Sequence, residues 1–292
     1  SIRTFMGELN DLAHRLDPTR PTVIRRCDFC RDIVDVYSPS IWAGWYGRRF
    51  RNYREMVQAG FESVPRFIHA EWGGDSHAGR HAEEQMTKHG SSFDIEAGDW
   101  SESYIVRLFD WHLKEQEQMP WLTGSAFWTF KDFSTPLRPL NPIPYVNQKG
   151  VVQRDGTPKE SYYVFQSYWS HEPMLHIYGH SWPVRWGKAG EAKEILVYSN
   201  CPEAELFVNG ISLGRKKRDS QDYPAAGFHW NAVLKEGENE IEAIAYRDNK
   251  PCLRDKIHQT YQTQPWGAPA QIRLTQAKVD EETILVQAEL LD

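Results

Sequence analysis

The spacing of apolar residues changes character once along this chain, near residue 172, and that change constrains the fold more than any other feature. Before it, helical and extended patterns alternate. Leu9, Leu12, Ala13 and Leu16 recur at helical spacing, and Asp17-Pro18-Thr19-Arg20-Pro21 stops the pattern. Extended runs follow at 22–24 and 33–37, then an aromatic loop from Trp42 to Tyr46 and a helix over 52–59. A buried strand over 65–71 ends on Glu71, a strong amphipathic helix covers 101–118, and another strand covers 126–130. Strands alternating with helices, with carboxylates and aromatics at strand ends, read as a parallel α/β barrel. About four strands are present, so a full eight-stranded barrel needs its first half upstream.

After residue 172 the runs shorten and turns separate them: 195–198, 204–208, 227–230 and 240–246. Asn209-Gly210 between two alternating runs is a strong hairpin signal. This half reads as an antiparallel sandwich of immunoglobulin-like size. A second alternating stretch over 270–291 has room for two strands and looks like the start of a further unit. The expected division is 1–170, 171–264 and 265–292, in line with the roughly two domains that 292 residues suggest.

A net charge of −6 argues against nucleic acid as a partner, because phosphate contacts need clustered Lys and Arg. The basic run Arg215-Lys216-Lys217-Arg218 reads as a solvated hairpin end. No apolar stretch reaches the about 18 residues of a membrane span, and no signal-peptide pattern is present, although Ser1 does not look like a natural start. Cys27 and Cys30 form a CxxC without a second ligand pair at zinc-ribbon spacing, so buried thiols are expected rather than a metal. The 12 Trp and 13 Tyr lean towards carbohydrate, since rings stack on sugar faces, although cores absorb most large aromatics.

Glu71 is the residue with a chemical claim. A carboxylate that follows Phe67, Ile68 and Ala70 at the end of a buried strand needs a reason to be there. One reason is an arginine pair that holds the barrel mouth; the other is catalysis. Trp128, at the end of the next strand, is placed to wall a sugar subsite, and Asn147-Gln148-Lys149-Gly150 lies in the loop that follows. Glycoside hydrolysis needs two carboxyl groups, and Glu71 is the one good candidate; Glu8 opens a helix instead. His69, His77 and His81 lie close in sequence. His77 and His81, four apart, could face one way as a metal pair, but HExxH is absent, and polar lining of a sugar pocket or plain surface histidines are the better expectations.

Several ordered stretches then carry a resemblance. They are Leu16-Asp17-Pro18-Thr19-Arg20-Pro21, Asp35-Val36 with Gly44-Trp45-Tyr46, and Phe67-Ile68-His69-Ala70-Glu71-Trp72-Gly73. Trp128-Thr129-Phe130-Lys131-Asp132-Phe133, Asn147-Gln148-Lys149-Gly150-Val151, Pro158-Lys159 and Tyr168-Trp169 continue the series. Over residues 1–170 the chain resembles glycoside hydrolase family 2, which holds β-galactosidases, β-glucuronidases and β-mannosidases. Val197-Tyr198-Ser199-Asn200-Cys201, Glu205-Leu206-Phe207-Val208-Asn209-Gly210 and Pro269-Ala270-Gln271-Ile272-Arg273-Leu274 resemble the domains that follow the barrel in bacterial members.

The resemblance implies the second half of a (β/α)8 TIM barrel followed by an immunoglobulin-like sandwich. It implies Glu71 as nucleophile, with Trp42, Tyr46, Trp72, Trp128, Asn147 and Lys149 binding substrate, and no cofactor or metal. The family's acid/base is a Glu after an Asn at the end of the fourth strand. No such pair precedes Asp17, so that carboxyl is expected upstream and this segment alone is expected to be inactive. Where the family often has a Tyr bonded to the nucleophile, Trp42 stands here; either Tyr46 takes that part or the substrate is shifted. The leading expectation is an exo-acting β-galactosidase working by double displacement on a carbohydrate substrate. Asn147-x-Lys149, which suits a sugar carboxylate, supports β-glucuronidase as the alternative. A non-catalytic carbohydrate-binding module is the alternative of another class. The parent is expected to be bacterial and periplasmic or secreted.

Overall fold

The computed structural model describes residues 1–83, 99–221, 226–264, 270–278 and 283–291. Helix α1 (Ile2–Leu16) begins where the Ser1 hydroxyl accepts the Thr4 N–H, an N-cap that satisfies one orphan donor. It starts earlier than the apolar spacing alone suggests, and its apolar face of Ile2, Phe5, Leu9, Leu12 and Leu16 is exposed. Four short strands follow: β1 (Val23–Arg25), β2 (Val36–Ser38), β3 (His69–Trp72) and β4 (Ser125–Phe127). β1 pairs with β2 and β3 with β4, both in parallel, and a parallel bridge from Tyr37 to Phe67 joins the pairs. The strands therefore stand side by side in chain order. Helix α2 (Tyr53–Glu62) lies between β2 and β3, and α3 (Glu102–Glu117) between β3 and β4.

α3 has an amphipathic sequence yet is buried on nearly all sides. Leu108 and Phe109 face the aromatic core against Trp72 and Phe165. Its polar positions are covered as well, because the β-rich half packs on them: Asp110 Oδ1 accepts the Ala226 N–H at 2.6 Å, and the Ser103 and Tyr178 hydroxyls meet at 2.7 Å. After β4, the short strands β5 (Phe133–Ser134) and β6 (Val146–Asn147) pair antiparallel and lead into α4 (Glu160–Trp169).

The β-rich half starts with β7 (Leu175–Ile177), β8 (Val184–Trp186) and β9 (Ala192–Ser199). It continues with β10 (Glu203–Val208), β11 (Ile211–Lys217), β12 (Gly227–Val233), β13 (Gly237–Arg247) and β14 (Lys250–Gln262). The strands form a five-stranded sheet, β11-β10-β13-β14-β8, and a three-stranded sheet, β12-β9-β7. Leu206, Ile241 and Ile257 from the first sheet meet Ile195, Val197, Phe228 and Trp230 from the second in one core. Asn209 and Gly210 both take positive φ, 52° and 78°, which a two-residue turn of the right twist requires. The stretch near the C-terminus forms a hairpin, β15 (Gln271–Lys278) with β16 (Ile284–Leu291), that exposes Ile272, Leu274, Val286 and Leu290. Among the described residues no helix is long and apolar enough to cross a membrane.

The junction of the two halves is polar. Glu102 and Glu160 are both buried there. Glu102 Oε1 accepts the Glu160 N–H at 2.8 Å, while Glu160 pairs with His176 at 2.8 Å and accepts the Gly179 N–H at 2.9 Å. Burial and the neighbouring Glu160 push the Glu102 carboxyl up to about 7.

Candidate active site

The residues that end β1, β3 and β4, together with the loops after β2 and β4, line a cavity of about 640 Å³. Glu71 sits in it. The strand that carries Glu71 is irregular: its register against β4 shifts between His69 and Trp72. Such an irregularity breaks simple alternation and re-aims a side chain. His69 and Trp72 both pack towards the helices, around Tyr53 and His112, and Glu71 reaches the cavity. Buried His69 is held neutral, its pKa lowered to about 4 by burial, with Nε2 3.1 Å from the Ile41 carbonyl and Nδ1 3.0 Å from the Tyr53 hydroxyl.

Glu71 Oε2 lies 3.0 Å from Arg25 Nε, so the arginine-pair reading and the cavity position hold together. Burial raises the Glu71 pKa, and Arg25, Lys149 and Arg26 oppose that rise. The carboxylate is thus partly desolvated, with three cations near enough to oppose that cost.

Lys149 and Asn147 are buried side by side, and Asn147 Oδ1 accepts the Lys149 N–H at 3.1 Å. The Lys149 ammonium is boxed by the rings of Trp42, Trp45 and Tyr46, at 4.8, 4.9 and 4.6 Å from their centroids. It pairs with buried Asp75. Beneath this loop, Asp132 Oδ1 accepts the Gly150 N–H at 2.8 Å and pairs with Lys159, which also donates to the Ser76 and Gln148 carbonyls at 2.8 and 3.0 Å. Lys131 and Asp132 follow Trp128 in sequence, but Asp132 braces the loop from below. A Cβ on Gly73, whose φ is +152°, would meet the Trp128 carbonyl oxygen at 2.4 Å, so the glycine after Trp72 permits that close approach.

Trp42, Tyr46, Trp128, Asn147 and Lys149 all line the cavity with Glu71, as the sequence suggested. Trp128 is 41% exposed and its ring stands edge-on to Phe133. Trp72 does not belong with them. It is fully buried, its ring packed against Phe109, Phe127 and Phe165 at 6.0, 5.3 and 5.7 Å, because it points to the opposite side of β3 from Glu71. The histidines are not cavity lining either. His77 pairs with Gln148, while His81 reaches the Tyr178 hydroxyl and Ser181 and stacks on Trp182. They serve separate partners and form no metal pair. Among the described residues the one three-residue group with metal-ligand atoms close together is His176, His180 and Asp255, at the junction. There His176 is bound to Glu160, His180 to Asp255, and the two imidazoles stack at 4.6 Å.

Sequence reasoning missed three arginines and a serine in the cavity: Arg25, Arg26, Arg138 and Ser40. Arg25 and Arg26 had the same signal as Glu71, a charge ending a short strand. Arg138 had none, for it reaches the cavity from a long loop and donates from Nη2 to the Tyr46 hydroxyl at 2.6 Å.

Comparison with known proteins agrees with this geometry. A domain of unknown function (DUF4982) matches residues 190–253. The solved β-glucuronidase 3 of Bacteroides uniformis is 74% identical, with a TM-score of 0.90 over 100% of this chain and 38% of that one. A curated Formosa agariphila protein, provisionally named a β-glucuronidase, is 45% identical over 98% of this chain and 37% of its own length. A β-galactosidase of Bacteroides ovatus is 28% identical over 60% of this chain and 21% of its own. The chain thus spans little more than a third of the length of the first two. Its homologues are glycoside hydrolases named β-glucuronidase and β-galactosidase, and the resemblance of this chain is to those enzymes of glycoside hydrolase family 2.

Proposed function

We propose that this chain is the nucleophile-bearing segment of a retaining exo-β-glycosidase whose parent releases terminal β-linked glucuronic acid. Residues 1–170 would be the second half of a (β/α)8 barrel, 171–264 an immunoglobulin-like sandwich, and 265–292 the start of a further unit. Four parallel strands in chain order, with helices between them and the cavity at their C-terminal ends, support the barrel.

The chemistry follows from one carboxylate in a cationic cavity. A Glu71 oxygen attacks the anomeric carbon as the glycosidic C–O bond breaks, and the leaving oxygen takes a proton from a second carboxyl group. Water, deprotonated by that same group, then attacks the anomeric carbon, releases the sugar and restores Glu71. In a retaining pair the two carboxyls stand about 5–5.5 Å apart. Among the described residues Glu71 is the one carboxylate lining the cavity, so the acid/base is assigned to another part of the parent.

The single observation that carries the choice of sugar is the placement of Asn147, Lys149 and Arg138 next to Glu71 in a chain of net charge −6. An amide and two cations suit a uronic acid carboxylate and offer a neutral galactose much less. The names of the most similar proteins point the same way, and the β-galactosidase reading becomes the second choice. Assay of the full-length parent on aryl β-glucuronide and aryl β-galactoside decides between them. The expected glucuronide preference in kcat/KM is about 100-fold or more. Equal turnover, or preference for the galactoside, refutes the assignment. A binding module rather than an enzyme would show no loss on Glu71→Gln, whereas the proposed role requires turnover to fall by orders of magnitude with the fold intact.

A further inference from the structure

We propose that the cavity carries a second anion subsite, formed by Arg25 and Arg26 at the end of β1, which selects glucuronides whose leaving group bears a sulfate or carboxylate. This rests on the reading of the parent as a glucuronidase and goes beyond it to the other side of the scissile bond.

Topology separates two groups of cations. The strands stand in the order β1, β2, β3, β4, and Glu71 ends β3. Asn147, Lys149 and Arg138 arrive from the loop after β4, on one side of Glu71. Arg25 and Arg26 end β1, two strands away on the other side, roughly 10 Å at ordinary strand spacing. On the β1 side Arg25 already holds Glu71, and a single sugar carboxylate on the β4 side leaves Arg26 without an anion to bind.

The existing partners do not use up the β1 side. Lys149 pairs with Asp75, Arg138 donates to the Tyr46 hydroxyl, and Arg25 pairs with Glu71. Arg26 lines the same cavity, is exposed, and makes no salt bridge among the described residues. Its backbone is left-handed, with φ of 55°, and its N–H is anchored to the Ser38 carbonyl at 3.0 Å. A non-glycine residue in that region is strained, and such residues gather at ligand clamps. A solvated surface arginine has no need of that conformation. The Arg26 guanidinium, backed by Arg25 in the same cavity, suits a sulfate or carboxylate through its paired N–H donors, and a neutral leaving group returns nothing for it.

The test uses the full-length parent and two disaccharides, a β-glucuronosyl-N-acetylhexosamine with and without a 6-O-sulfate on the hexosamine, with 4-nitrophenyl β-glucuronide alongside. The sulfated compound should show kcat/KM about 10-fold or more above its unsulfated partner at low salt, mostly through KM. That ratio should shrink as salt rises, fall close to one in Arg26→Ala, and recover in part in Arg26→Lys. A wild-type ratio of one or below, or a ratio unchanged in Arg26→Ala, overturns the subsite. If Arg26 instead pairs with the acid/base carboxyl, Arg26→Ala shifts the basic limb of the pH–rate profile and leaves the ratio intact, which also overturns it. Failure to turn over the nitrophenyl glucuronide in a folded parent refutes the glucuronidase reading instead.

Discussion

Glu102 at the junction of the two halves offers a stability prediction that can be worked from the structure. Its carboxyl is buried, with its pKa raised from 4.5 to about 7 by burial first and Glu160 second. A raised acid pKa means the folded state holds a proton that the unfolded state has released. The contribution is therefore fully present below pH 4.5 and is lost as pH rises through about 7. Holding the carboxyl at about 7 instead of 4.5, with a tenfold change in proton affinity worth about 1.36 kcal/mol, gives an upper bound of about 3 kcal/mol. Neighbouring buried histidines change stability in the opposite sense at lower pH: His81, lowered to about 4 mainly by burial, favours folding as pH rises towards 6.5. Comparison with a variant cancels that background. In Glu102→Gln the group no longer titrates. The amide keeps an acceptor for the Glu160 N–H but presents a donor to the Gly79 N–H, now bonded to Oε2 at 2.8 Å. The variant should therefore be less stable than wild type at pH 5 by about 1–2 kcal/mol and should match or exceed it at pH 8. Urea unfolding at half-unit steps from pH 5 to 8 reads the two slopes. Parallel pH profiles for the two proteins would refute the argument that burial and Glu160 govern this carboxyl.

Other expectations follow from the same contacts. Trp72→Ala should cost about 3–5 kcal/mol of stability by urea titration, while Trp128→Ala should cost little stability and raise KM in the full-length parent. Gly73→Ala should lower the melting temperature and the parent's activity together, because the new Cβ meets the Trp128 carbonyl oxygen at 2.4 Å. The Cys201 and Cys252 sulfurs lie 3.8 Å apart, where the β13–β14 register shifts beside Cys252. Oxidised glutathione should join them by thiol–disulfide exchange, releasing two equivalents of reduced glutathione; mass spectrometry should show loss of two hydrogen atoms and a linked peptide pair, absent in Cys252→Ser.

Much of this was legible in the residues. The change of apolar period near 172, the Asn209-Gly210 turn and the apolar run into Glu71 act through neighbours in sequence, so local rules suffice for them. Glu71, Trp42, Tyr46, Trp128, Asn147 and Lys149 meet in one cavity because each stands at or just after a strand end, and parallel strands bring those ends together. What local rules could not supply was direction and partnership. Trp72 is one residue from Glu71 and alternation turns it to the opposite side, but only the helices packed there, through Phe109 and Phe165, make that side core rather than cavity. The polar face of α3 looked solvent-bound until the sandwich covered it. The proposed preference for an anionic substrate rests on Arg138, Asn147 and Lys149 sharing a cavity with Glu71, 67 to 78 residues away in sequence. The sequence by itself determined which residues could end strands and turns; the tertiary structure decided which charges share a cavity, because Coulomb attraction depends on distance in space and carries no trace in the order of residues.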